Sequence, residues 1–248
     1  MILRRVVPDA DVSIDLDASD ARDRIAELYH PTLPDWIRLN LIGTLTGGAT
    51  GPDGTSESIT NPVDRIILGV IRSLSDVVLV GAASVRAEGY FVPKRAALAV
   101  VTGTGELAGH HITSGTGRGP LIILCPPDAA DRARGSVGDP DARILVVPAV
   151  NGRIASRDIV AALRAEGFRS IVAEGGPDLA TRLVRDGVVD ELCLTTSPQL
   201  GPAVVPLFAD TGRPPIRLRL DQLLVDDSGT TYVKWAFARR SNEATAAD

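Results

Sequence analysis

The residues best placed to do chemistry in this 248-residue chain gather in two short stretches. In SIVAEGGPDLATRLVRDG, residues 170–187, an apolar run delivers Glu174, two glycines follow, and Pro177 stands where a helix would begin. That order aims the unhindered backbone of Gly175 and Gly176, and the first helical turn through Asp178 and Leu179, at one point that suits a phosphate or pyrophosphate. An ordinary strand-to-helix turn uses glycine for geometry alone, and a Gly-Gly pair does not decide between the two. In VGAASVRAEGY, residues 80–90, the small residues Gly81, Ala82, Ala83 and Ser84 would admit a flat ligand close to the backbone, with Arg86 and Glu88 at the rim. A solvated loop with a chance Arg–Glu pair would read the same way.

Other chemistries lack their patterns. There is no G-x-G-x-x-G, no Walker lysine motif, no G-x-S-x-G elbow and no H-x-E with P-C-x-x-C. His30, His110 and His111 are not spaced with Cys125 and Cys193 as zinc ligands, so no metal site is expected. Arg72, read by itself, is a solvated cation near a helix C-terminus.

The elements that must position these residues alternate. Buried-strand patterns cover 36–42, 76–82, 96–101, 121–125, 143–148, 170–174 and 191–197, with helical periodicity between several of them. The clearest helix opens at Asn61-Pro62, a capping residue followed by proline at the first helical position. Two more are expected over about 156–166 and 177–186, stopped by Gly167 and Gly187. Residues 216–225 and 230–239 flank an Asp/Ser/Gly turn and read as an antiparallel hairpin. The glycine-rich loop 43–60 is long enough to be functional or mobile, and 103–119 reads as a flexible excursion. Residues 1–35 are expected to form an arm with a short helix, 36–240 one domain, and 241–248 a disordered tail.

With 26 basic and 31 acidic residues the net charge is −5, which gives no footprint for nucleic acid or an anionic membrane. No apolar run reaches the roughly 20 residues of a membrane span, and the N-terminus does not read as a signal peptide. Two cysteines in apolar runs fit a reducing, cytoplasmic compartment.

Four segments in order, NLIGTLTGGA, SESITNP, DVVLVGAASVRAEG and AEGGPDL followed by GVVDELCLTTSPQLGP, resemble the pyrimidine reductase domain of the riboflavin-pathway enzymes over residues 36–238. The likeness is greater still to free-standing actinobacterial members. It implies an α/β, dihydrofolate-reductase-like fold: a mostly parallel central sheet, helices on both faces and a C-terminal antiparallel hairpin. It also implies a homodimer that uses NADPH to reduce the ribosyl chain of 5-amino-6-(5-phosphoribosylamino)uracil to ribityl. Carried over by motif, the substrate residues are Asn40, Thr46, Ser56, Arg72, Arg95 and Glu174, and the catalytic groups are Glu88 and Glu174. The cofactor residues are Gly43, Ser58, Ser84, Glu88, Thr102, Gly175, Gly176, Pro177, Asp178 and Leu179. Thr102, Thr104 and Arg118 are the groups expected near the 2′-phosphate.

The sequence departs from the family at two places. Thr44-Leu45-Thr46-Gly47 stands where the family writes S-L-D-G, and Ala87-Glu88-Gly89-Tyr90 where it more often writes A-D-D-P. Both leave substrate identity open between a pyrimidine and a pterin, and a non-catalytic NADPH-binding protein is the third reading.

Overall fold

The computed structural model describes residues 1–209 and 214–238. In chain order the elements are β1 (Ile2–Val7), β2 (Ser13–Asp15), α1 (Ala21–Tyr29), β3 (Trp36–Thr44), α2 (Pro62–Ser73), β4 (Val77–Gly81), α3 (Ala82–Ala87), β5 (Gly89–Phe91), β6 (Ala97–Val101), β7 (His111–Thr113) and β8 (Leu121–Cys125). They continue with α4 (Ala130–Val137), β9 (Arg143–Val146), β10 (Ala149–Val150), β11 (Arg153–Ile154), α5 (Ser156–Ala165), β12 (Ser170–Ala173), α6 (Pro177–Arg185), β13 (Glu191–Ser197), β14 (Leu218–Asp226) and β15 (Thr231–Phe237).

Eleven strands form one sheet in the order β2-β1-β14-β15-β13-β3-β12-β4-β6-β8-β9. From β13 to β9 every pairing is parallel, whereas β2, β1, β14 and β15 add antiparallel ribbons at the other edge. This is the expected α/β architecture, with the hairpin built from β14 and β15. Arg239 and the expected tail lie outside the described residues.

Period-two alternation sorts even the fully apolar strands. In β4, Val78 and Val80 face a core closed by α1, α2, α3 and α4, while Val77 and Leu79 face a second core closed by α5 and α6. Helix α2 starts as its sequence dictates: the Asn61 side chain accepts from the Asp64 amide, and Pro62 occupies the first turn.

Three expectations change. Residues 1–35 are stitched into the sheet instead of lying on it, because β1 pairs with β14 from a distant part of the chain. Leu3, Ile14, Ile25 and Tyr29 are thereby buried in the first core. The stretch after β4, read either as a wall for a flat ligand or as a solvated loop, contains a helix, α3. The excursion 103–119 contributes β7, whose parallel pairing with β5 sets Ile112 beside Tyr90.

Among the described residues, no helix is long and apolar enough to cross a membrane. Both cysteines are buried and free.

If residues 1–35 are integral to the sheet, Leu3→Ala leaves a cavity in a closed core and should lower unfolding free energy by about 2–5 kcal/mol in urea titration. A loss below about 1 kcal/mol would show that the segment lies only loosely on the domain.

Candidate active site

The parallel strands end together on one side of the sheet, and the side chains delivered there surround a cavity of about 550 Å³. Strand β3 supplies Asn40, β12 leads into Glu174, α2 carries Asp64 and Arg72, and the segment after α3 carries Glu88 and Tyr90. Ser56 enters from the glycine-rich loop. That loop is held in place: Leu45 N–H donates to Gln199 O at 3.0 Å, Ala49 N–H to Val205 O at 2.7 Å, and Leu207 N–H to Gly47 O at 2.9 Å.

Two carboxylates in the cavity are fixed by paired donors. Arg72 donates from Nε and Nη2 to the two oxygens of Glu174, at 2.7 and 2.6 Å, and lies over the Tyr90 ring. Burial works to lower the Arg72 pKa, but the Glu174 carboxylate outweighs it and holds the guanidinium above its ordinary value. Arg72 is therefore no free helix-end cation. Glu88 accepts from the Ser56 amide at 2.8 Å and from the Ser56 hydroxyl at 3.0 Å.

A third carboxyl escaped the sequence reading. Asp64 is 8% exposed, lines the cavity, and accepts from the Thr60 and Thr195 hydroxyls at 2.7 Å each. Burial raises its pKa, with the two threonines pulling the other way. In sequence it is simply the acid in a helix's first turn, a common charge–dipole arrangement. Only the packing of β13 against α2 reveals it as a cavity residue.

A second cavity of about 330 Å³ adjoins the first, and the two share Ala83, Ser84, Gly176 and Pro177. Its walls include Thr102, Gly103 and Thr104 after β6, with Asp178 and Leu179 at the start of α6. No side chain caps α6, so the first-turn amides of Asp178 and Leu179 are left as donors to a ligand. Gly175 has φ +103°, a conformation that favours glycine, and the Gly175–Gly176 peptide is cis. The Gly176 N–H donates to Ser84 Oγ at 2.7 Å, and a Cβ on Gly176 would stand 3.0 Å from that oxygen. The cradle thus has the small walls and backbone donors that fit a dinucleotide phosphate.

The structure brings together most of the residues singled out by sequence. Asn40, Ser56, Arg72, Ser84, Glu88, Glu174, Gly175, Gly176 and Pro177 line the first cavity, and Thr102, Thr104, Asp178 and Leu179 the second. Four others line neither. Gly43 packs under Leu207, whose Cδ1 stands 2.5 Å from the place of a Cβ. Thr46 donates to Gly201 O at 2.6 Å and fastens the glycine-rich loop, and Ser58 donates to Asp53. Arg95 is exposed between β5 and β6. Arg118 is also elsewhere, bonded to Val92 O at 2.7 Å and set over Phe91.

With this geometry in view, the comparisons with known proteins are decisive on family. Residues 35–232 match the sequence profile of the RibD C-terminal domain. The chain belongs to that family. No curated protein matches it by sequence. Among solved structures it resembles a pyrimidine reductase-like protein of Corynebacterium diphtheriae, at 21% identity and TM-score 0.70, over 87% of this chain and 99% of that one. The Saccharomyces cerevisiae riboflavin biosynthesis reductase Rib7 aligns at 14% identity and TM-score 0.63, over 89% of this chain and all of its own. A Thermotoga maritima deaminase/5-amino-6-(5-phosphoribosylamino)uracil reductase aligns at 16% identity and TM-score 0.67, over 83% of this chain but only 57% of its own. These likenesses establish the shared fold.

The Arg72–Glu174 pair should behave as one unit. Arg72→Ala strands a carboxylate whose side chain is 5% exposed and should cost about 3 kcal/mol of stability. Adding Glu174→Gln should recover part of that loss. Additive losses in the double-mutant cycle would show that the pair is not coupled.

Proposed function

We propose that the chain reduces the ribosyl side chain of 5-amino-6-(5-phosphoribosylamino)uracil, or a close phosphorylated aminopyrimidine, with NADPH as the hydride donor. The observation that carries this reading is the continuity of the two cavities. A carboxylate-lined chamber opens directly onto a small-walled groove that ends at an uncapped helix.

When bound, NADPH supplies the hydride that reduces the sugar carbon, and the groove of Gly81 to Ser84 and Gly176 to Leu179 would hold it. The chain's own residues must then orient the pyrimidine, exclude water and deliver one proton. Glu174, held rigid by Arg72, is an acceptor for pyrimidine N–H groups. Opening the ribose ring puts a proton on the ring oxygen as hydride adds at the sugar C1′, so a proton carrier must face the cavity.

Glu88, one of the two carboxyls that the resemblance implies to be catalytic, is poorly suited. Its two oxygens are both engaged by Ser56, one by the amide and one by the hydroxyl, which commits it to holding the glycine-rich loop. Asp64 has only hydroxyl partners, which donate or accept as needed, and burial biases it towards its protonated form. Asp64 is the proton carrier in this account, and Glu88 the latch that fixes the loop through Ser56.

The same reading takes the protein as a cytoplasmic homodimer. Leu200, Val204 and Ile216 are 82%, 80% and 55% exposed, in the part of the chain around the C-terminal hairpin. A second copy would cover them, and a monomer in sedimentation at micromolar concentration would contradict that.

The test is NADPH oxidation with the phosphorylated aminopyrimidine and dihydropterins side by side, across pH. Turnover should favour the aminopyrimidine. It should fall as pH rises through the raised pKa of Asp64, because the protonated form is required. Asp64→Asn should lower kcat about a hundred-fold and flatten that limb. Preferred turnover of the pterin would overturn the substrate assignment, and an unchanged pH profile in the variant would remove Asp64 from proton transfer.

A further inference from the structure

The far end of the cofactor groove carries charge that the hydride chemistry does not need. Arg86, Arg153 and Arg182 line the second cavity and only Asp178 opposes them, in a chain whose net charge is −5. The groove then runs on into a third cavity of about 560 Å³ that shares Arg153, Ile154 and Arg182 with it. Arg86 donates to Glu106 O at 2.8 Å. Arg182 is bound to Ile154 O at 3.2 Å and paired with Asp178 at 3.1 Å. The Arg153 side chain has neither a hydrogen bond nor an ion pair among the described residues.

The backbone holds Arg153 at that spot. It follows Asn151 and Gly152, whose φ angles of 52° and 70° form a two-residue hairpin turn between β10 and β11. The turn is pressed against the loop after β6: a Cβ on Gly103 would stand 2.2 Å from Gly152 O, so only glycine allows this approach. Arg153 therefore lines the same groove as Thr102 and Thr104, on a turn packed against their loop.

We infer that Arg153, supported by Arg182, binds the 2′-phosphate of NADPH and sets the preference for NADPH over NADH. This rests on the reductase reading above and replaces Arg118, which lies outside the groove. The order of groups along the groove fits one dinucleotide. The carboxylates Asp64, Glu88 and Glu174 sit at the nicotinamide end and small residues and the uncapped α6 amides in the middle, while at the end the adenosine would reach four arginines outnumber Asp158 and Asp186. A phosphate dianion needs charge-assisted donors, and a guanidinium fork without a partner supplies them at no cost to existing bonds.

Calorimetric titration of the purified protein with NADPH, NADH, 2′-phospho-AMP and AMP tests this without any turnover. The parent should bind NADPH and 2′-phospho-AMP more tightly than NADH and AMP. Arg153→Ala should weaken the two phosphorylated ligands roughly ten- to a hundred-fold and leave the other two unchanged. Arg153→Lys should restore part of the difference. Because Arg153 is exposed and unpaired, neither substitution removes a contact that folding needs. Equal weakening of NADPH and NADH, or no change in either, would overturn the assignment while leaving the reductase reading intact. A parent protein that binds none of the four ligands would overturn both.

Discussion

The two hydrogen bonds between Arg72 and Glu174 join the last turn of α2 to the residue that follows β12. They are the tie on which the rest of the site depends. The Glu174 side chain is 5% exposed, so removing Arg72 would leave a buried carboxylate without its charge partner. Together they fix where the glycine turn begins. The Gly176 N–H then meets Ser84 Oγ, and α6 starts with its amides facing the groove. Tyr90, under the Arg72 guanidinium, is braced by the β5–β7 pairing. The ion pair, the cofactor cradle and the cavity floor are one mechanical unit.

The parallel half of the sheet explains why these groups meet at all. Each parallel strand must be followed by a crossover, so the C-terminal ends of β3, β4, β6 and β12 open onto the same side and the connections after them become the walls. The antiparallel half has a different task. It buries the N-terminal strands and carries the segment 199–207 that pins the glycine-rich loop.

Much of this was legible in the residues. Apolar runs such as Leu121–Cys125 can only be buried strands, Asn61-Pro62 marks a helix start by its own chemistry, and Gly175-Gly176-Pro177 announces a turn onto a helix. What stayed hidden depends on distant partners. Ile2–Val7 contains Arg4 and Arg5 and shows no clean alternation, and it is a strand only because β14 arrives beside it. Helix α3 has six residues and no capping side chain, too little for either periodicity or a cap to register. Asp64 reads as a helix-terminal acid until Thr195 closes over it. The turn at Asn151-Gly152 is a different case. Its dipeptide is a strong hairpin signal, and the position of Arg153 was open to prediction from it.

The central claim is that the carboxylate-lined chamber and the glycine-walled groove form one reductase site. Its most direct test is a crystal structure of the chain with NADP⁺ and a substrate analogue that cannot be reduced. The account predicts the nicotinamide between Ser84 and Glu174, the pyrophosphate on the Asp178 and Leu179 amides, and the analogue's pyrimidine against Glu174. A dinucleotide bound elsewhere, or an analogue outside the Asn40–Asp64–Glu174 chamber, would contradict it.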